Sequence, residues 1–338
     1  MKVLFLGHLG GNSKYHYINL KNKVKKISVI DIDKYFRKHK LLSYLFNNVS
    51  VYIFEKIINL YIILKNLKEV DLIYVTSGEY FGKSIIKILK KKCKKIILYC
   101  PDNPFVSRDN KRWKLLTKSI HLYDHVVFIQ PSREKHAKKN NISNYNIFYP
   151  HYEEKVHKKI TIKKKYDVVF VGTWFQDRGK FIKKLIDKGL NIKVFGSRWN
   201  KDPDYKKYSG FFYVKNFNSK EYSLIINLSK IALCFYSKEN EDTITTRSTE
   251  IPAIGTFMLA ENNNYHRKFL KNKIHTHYFK SVNECFALCN YYIKNDTQRE
   301  KIAKNANYKI TKKMNLTYQD FINKILKIYE KSGNKISK

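Results

Sequence analysis

The stretch "TTRSTEIPAIGTFMLAE", residues 245–261, opens on threonines and an arginine. It carries Glu250 within a helix-forming run, breaks at Gly255 and enters the apolar segment FMLA. A helix that passes through one glycine into an apolar strand is the returning half of a strand–helix–strand unit. The same alternation extends outward from it. Upstream, strands are expected at 166–172 (YDVVFVG), 191–196 (NIKVFG) and 230–236 (KIALCFY), and TFMLA at 256–260 is the next. Helices are expected at about 176–188, 219–228 and 245–254, then at 282–294, 297–312 and 317–332. The first half repeats the pattern, with strands at 2–7, 26–31, 71–76, 95–100, 125–130 and 146–150. Its helices are expected over 33–46, 50–67, 79–92 and 109–121. Short apolar runs without clean alternation, separated by helices, indicate parallel sheets covered on both faces. The expected fold is α/β: two Rossmann-like, doubly wound domains facing across a cleft.

The expected boundaries are a first domain over 1–150, a charged linker over 151–165 and a second domain over 166–316. A final helix, within 317–338, is expected to cross back to the first domain and end in a frayed tail. Open α/β sheets place ligands beyond the carboxyl ends of their strands, so chemistry is to be sought there.

The chain has 338 residues, 43% hydrophobic, so a disordered chain is excluded. Its formal net charge of +39 invites a nucleic-acid reading. The surplus is spread evenly, with 29 basic and 10 acidic residues in 1–150 against 38 and 18 in the remainder. No basic stripe interleaved with aromatics stands out, so no specific nucleic-acid partner is expected. Attraction to an anionic membrane surface is the residual consequence. Five cysteines without CxxC spacing read as reduced thiols in a cytoplasm, and no signal peptide is expected. The most apolar window, "LFNNVSVYIFEKIINLYIILKN", is interrupted by Asn47, Asn48, Glu55, Lys56 and Asn59, and reads as an amphipathic or buried helix.

Glycines after strands are the first candidates for a ligand site. Gly7, Gly10 and Gly11 follow the first strand, and Gly172 and Thr173 follow the first strand of the second half. Glycine lets a ligand approach the backbone, and the next helix offers unpaired N–H groups to an anion. Neither stretch is a GxGxxG or a P-loop, which weighs against a nicotinamide-dependent oxidoreductase. Arg178 and Lys180 follow Gly172 closely enough to meet a diphosphate. Trp174 could stack on a base or a sugar. Glu250 suits the vicinal hydroxyls of a ribose, although a helix N-terminus also favours a carboxylate for its dipole alone. Asp242 stands eight positions earlier, and Arg247 one helical turn before Glu250. "DPD" at 202–204 reads as an incidental loop feature, and His151, His266 and Trp199 as loop or surface positions.

"VVFVGTWFQDRGKF", "IKVFGSRW", "NEDTITTRSTEIPAIGTFMLAE" and "QREKIAKNANYKITKKMNLTYQDFINKIL" together resemble the C-terminal half of CgeB-like (spore-maturation protein-like) glycosyltransferases. These are group 1 glycosyl transferases with the GT-B fold. "DLIYVTSGEYFGKSIIKILKKKCKKIILYCPDNPF" is similar to the family's strand–helix–strand in the first half. The resemblance implies a nucleotide-diphosphate sugar donor held mainly by the second domain. The acceptor, a glycan, lipid-linked or protein hydroxyl, would be held by the first, near the Gly10–Gly11 loop. Glu250 falls where the family has its ribose-binding glutamate, and Gly172 and Thr173 on the donor-phosphate turn. Arg178 or Lys180 would steady the diphosphate. Gly196, Thr246 and Arg247 complete the donor set with Trp174 and Asp242, the last standing where the family has a longer glutamate. No metal and no cofactor are expected. An inverting reaction would need a base from the first domain, for which Asp102 leads, then Glu79 and His8. A non-catalytic or nucleic-acid-binding basic α/β protein is the alternative.

Overall fold

A computed structural model of the chain describes residues 1–32, 34, 39, 44, 46, 50–109 and 111–333. Most of the helix expected over 33–46, and the last residues of the expected tail, lie outside these. The chain divides into two compact units. The first comprises Met1–Tyr149, Ser237–Asp242 and Tyr318–Lys338, and the second Pro150–Tyr236 and Thr243–Thr317. Each is an α/β unit around a six-stranded sheet in which every pairing is parallel.

In the first unit the strands are β1 (Lys2–Leu6), β2 (Lys26–Ile30), β3 (Val70–Thr76), β4 (Cys93–Cys100), β5 (His125–Phe128) and β6 (Tyr145–Ile147), in the order β2-β1-β3-β4-β5-β6. The order reverses between β1 and β3. A small cavity of ≈ 20 Å³ opens there, lined among others by Gly7, His8, Thr76 and Glu79. On one face of the sheet, the helices Val51–Leu64 and Lys83–Lys90 pack Phe54, Ile58, Ile85 and Leu89 over β3 and β4. On the other, the Ser13–Lys21 helix and the final helix, Tyr318–Gly333, cover Phe5, Tyr74 and Tyr99 with Leu20, Phe321 and Ile325.

The second unit contains β7 (Tyr166–Val171), β8 (Ile192–Gly196), β9 (Phe212–Val214), β10 (Ser229–Cys234), β11 (Phe257–Glu261) and β12 (His277–Phe279). Their order is β12-β11-β10-β7-β8-β9, which is the dinucleotide-fold order with its reversal between β7 and β10. The quoted stretch forms the Arg247–Ile254 helix, stopped by Gly255 at φ 81°, and then β11. The edge strands β9 and β12, of three residues each, and the helices Ser13–Lys21, Arg133–Lys139 and Asn264–Phe269 were not legible in the sequence. Within 151–165, His151, Tyr152, Glu153 and His157 are buried, and Tyr152 bridges to Thr317.

Three residues expected at loop or surface positions are core residues. Trp199 and His266 are fully buried, and His151 is 3% exposed. His266 Nδ1 lies 2.7 Å from the Tyr278 hydroxyl, and in the first unit His16 Nδ1 lies 2.8 Å from that of Tyr74. A ring held in the core with one phenol partner is an apolar aromatic with a polar handle, which period-3.6 patterning on a polar residue does not reveal.

Burial pulls His16 and His266 down to about 3. A folded value below the unfolded one of about 6.5 gives stability that is complete above pH 6.5 and is lost as pH falls toward 3. Denaturant midpoints should therefore drop steadily between pH 7 and pH 5. His16→Gln and His266→Gln should each flatten that slope, and slopes equal to the parent's would show that these rings do not carry it.

Candidate nucleotide-sugar site

The reversal between β7 and β10 brings two strand ends together with the start of the Arg247–Ile254 helix. The last carbonyl of the β7 end, that of Gly172, accepts the Trp199 indole N–H at 2.9 Å, while Gly172 N donates to Phe195 O at 2.8 Å. Gly196 makes this possible. A Cβ at 196 would stand 2.0 Å from the Gly172 oxygen. The next carbonyl, of Thr173, accepts Arg178 Nη1 at 2.6 Å. The C=O and N–H of one planar trans peptide point in opposite directions. Holding the Gly172 oxygen toward β8 therefore aims the Thr173 N–H toward the β10 side, where an open sheet of this order takes its ligand.

Two guanidinium groups converge on the same spot. Those of Arg178 and Arg247 lie 5.0 and 5.6 Å from the centroid of the Phe170 ring. Arg178 also stacks on Phe175 at 5.1 Å and is 5% exposed. Arg247 Nη2 reaches Phe235 O at 3.5 Å, and its buried Nε has no partner. Each guanidinium is held against an aromatic ring, and the Arg247 Nε remains a donor for an anion. Among the remaining candidates, Lys180 is exposed and Thr246, which precedes the helix, is half-buried. Glu250 is 6% exposed. Its carboxylate lies beside Tyr222, whose phenol is pushed well above its ordinary value by burial first and then by the Glu250 charge.

Trp174 does not stand free beside the turn. Its indole N–H is donated to Asp202 Oδ2 at 2.9 Å, and Lys183 Nζ sits 2.7 Å from Asp202 Oδ1. Burial raises the Asp202 value, but the Lys183 and Trp174 hydrogen bonds outweigh this and hold it below the usual carboxylate range. The D-P-D at 202–204 is thus not incidental. Its first aspartate anchors the tryptophan of the turn. Sequence reasoning passed over Asp202, Lys183 and Trp199 because the partners that give them these roles lie 19 or more residues away.

In the first unit Asp102 pairs with Arg108 at 3.2 Å, and the buried Glu79 pairs with Arg112. His8 is half-buried and Gly10 and Gly11 are exposed. Asp242 belongs to the segment Ser237–Asp242 of this unit. It accepts from Asn240 Nδ2 at 2.6 Å and Gln130 Nε2 at 3.2 Å, with Arg133 at 3.5 Å. Burial pushes its carboxyl above the usual range, against the pull of Arg133.

Residues 178–327 match the glycosyl transferase-like family model. The whole chain is similar in fold to solved structures at low identity. The sucrose-phosphate synthase from Thermosynechococcus elongatus shares 10% identity at a TM-score of 0.73, with 99% of this chain and 100% of that one covered. Anabaena Alr3699/HepE, in complex with UDP-glucose, shares 11% at 0.68, with 98% and 100% covered. A glycosyltransferase from Rickettsia africae ESF-5 shares 12% at 0.66, with 98% of each covered. The chain has the GT-B fold, and its residues 178–327 form a glycosyl transferase-like segment. No curated protein matches the chain. The glycosyl transferase-like segment begins at Arg178 itself and takes in Arg247 and Glu250. The CgeB-like subfamily has no counterpart among these matches. No helix among the described residues is long and apolar enough to cross a membrane.

Gly196→Ala should cost the protein about 3 kcal/mol or more, because a methyl group at that position meets a backbone carbonyl that cannot move aside cheaply. Gly210→Ala, where nothing lies within 4 Å, is the control and should stay within about 0.5 kcal/mol. Equal denaturation midpoints for the two variants would contradict the close approach at 196.

Proposed function

We propose that this glycosyltransferase takes its sugar from a nucleoside diphosphate donor bound at the β7–β10 reversal, without a metal. The observation that carries the reading is the pair of arginines, Arg178 and Arg247, packed against one ring, beside a turn whose Thr173 N–H is directed toward the β10 side. Bond breaking leaves a nucleoside diphosphate with the electron pair of the departing C–O bond. Cations fixed before the reaction stabilise that growing charge without reorganising. Arg247 is the donor group best suited to the task, because its buried Nε awaits an acceptor. Arg178 supports it by holding the Thr173 carbonyl, with Lys180 at the solvent side. Glu250 takes the ribose hydroxyls, and Asp242, held by Gln130 and Asn240, is not needed for that contact.

The acceptor in this reading is a glycan, lipid-linked or protein hydroxyl, met by the first unit at an anionic membrane surface. If the anomeric centre inverts, the acceptor proton passes to a carboxylate or imidazole of that unit, with Asp102 ahead of Glu79 and His8. Both carboxylates are held in place by arginines, Asp102 by Arg108 and Glu79 by Arg112. The solved complex of HepE with UDP-glucose makes uridine the first nucleotide to try.

A thermal-shift series with UDP, GDP, ADP, CDP and TDP should raise the melting point for at least one of them. Arg247→Ala should weaken that nucleotide about 10- to 100-fold, the worth of a charge-assisted hydrogen bond or two. Glu250→Gln should weaken the nucleoside more than it weakens inorganic pyrophosphate. A melting point indifferent to all five would overturn the donor site. Activity lost to a chelator and restored by manganese would overturn the metal-free reading.

A further inference from the structure

The Val51–Leu64 helix of the first unit has two apolar faces, and among the described residues only one of them is buried. Val51, Phe54, Ile58 and Ile62 are buried in the core. Ile53, Ile57, Leu60 and Leu64 recur at i, i+4, i+7 and i+11, so they form one strip along the opposite side. They are 57, 39, 57 and 74% exposed, and Tyr52 and Ile63 flank them at 44 and 54%. Isolated exposed aliphatics need no explanation, but a continuous strip of four on one helix, with two more apolar side chains beside it, does.

We propose that this strip docks on a membrane rich in acidic lipid, with the helix lying in the plane of the headgroups. Charge decides the occupant. Between Ser50 and Lys68 the basic residues are Lys56, Lys65 and Lys68, and the sole acidic one is Glu55. Glu55 is turned aside, accepting from Ser84 Oγ at 3.0 Å. Lys118 joins the rim, 2.5 Å from the Tyr52 hydroxyl and over its ring. An apolar strip framed by lysines fits acyl chains below and anionic headgroups around it. A second copy of a chain carrying +39 would bring like charge to the same face, which disfavours self-association. Fourteen residues make a rod of about 21 Å, suited to lying on a bilayer rather than crossing it. This site deepens the membrane element of the proposed function, but it is read by binding alone and needs no donor or acceptor.

The test is co-sedimentation of the full chain with vesicles of phosphatidylcholine, with and without phosphatidylglycerol. The parent should bind the phosphatidylglycerol vesicles, and less so as salt rises. Replacing Ile53, Leu60 and Leu64 together by Asn should reduce that binding at least about tenfold, with the melting point and any nucleotide shift unchanged. Equal binding by the triple variant would mean that charge alone acts, and would overturn the strip. So would failure of the parent to bind, or a parent dimer in sedimentation that the variant turns monomeric. Should the triple variant not fold, Leu60→Trp should add a blue-shifted emission on phosphatidylglycerol vesicles, and an added emission unmoved by vesicles overturns the proposal. A nucleotide screen without response leaves these readings intact, so the two ideas fail separately.

Discussion

One carbonyl oxygen organises the second unit. That of Gly172 is closed in by the end of β8, approached so nearly that residue 196 can carry no side chain, and capped by the indole of Trp199. A buried carbonyl left without its donor costs about 1–3 kcal/mol. The turn therefore cannot rotate its peptide freely, and the direction of the Thr173 N–H is inherited from core packing. Phe170, two residues earlier, supplies the ring against which both arginines pack. A Cβ at 172 would meet that ring at 2.7 Å, so glycine is needed for the ring as much as for any ligand. The turn after β7 and the hydrophobic core are one packing problem.

The first unit solves a different problem, that of a guanidinium with no exposure to water. Arg133 donates to Asn240 O at 3.0 Å, Glu241 O at 3.3 Å and Ser132 Oγ at 3.0 Å, with Asp242 as counter-charge. Burying an ion is strongly unfavourable unless its donors are met, so the segment Ser237–Asp242 and Arg133 require one another. His136 reinforces the contact, 2.7 Å from Glu241 Oε2, and that hydrogen bond helps hold Glu241 below the usual carboxylate range. Asp242 thus has a structural occupation in this unit that its spacing from Glu250 did not suggest.

Much of the architecture was legible because parallel sheets bury whole strands, and VVFV, IIL and FMLA announce themselves without neighbours. The three-residue edge strands β9 and β12 were not, since Phe212–Val214 and His277–Phe279 are too short to show a period. Gly172, Arg178, Arg247 and Glu250 could be singled out because residue type and local spacing carry their chemistry. Trp199, Asp202 and Lys183 could not, because their meaning lies in partners brought together only by folding. A tryptophan in a loop and a D-P-D look the same whether idle or anchoring a turn. Charge misleads in the opposite sense. Most of the +39 is spread evenly and marks no single site, and the informative feature near the lysines of the Val51–Leu64 helix is apolar.

The most direct measurement is a crystal structure of the protein grown with the nucleoside diphosphate it binds best. The account requires a phosphate oxygen at hydrogen-bonding distance, about 3 Å, from Thr173 N and the Arg247 guanidinium, and ribose hydroxyls on Glu250. A diphosphate bound elsewhere, with Arg247 still stacked on Phe170 and no anion before it, would contradict it.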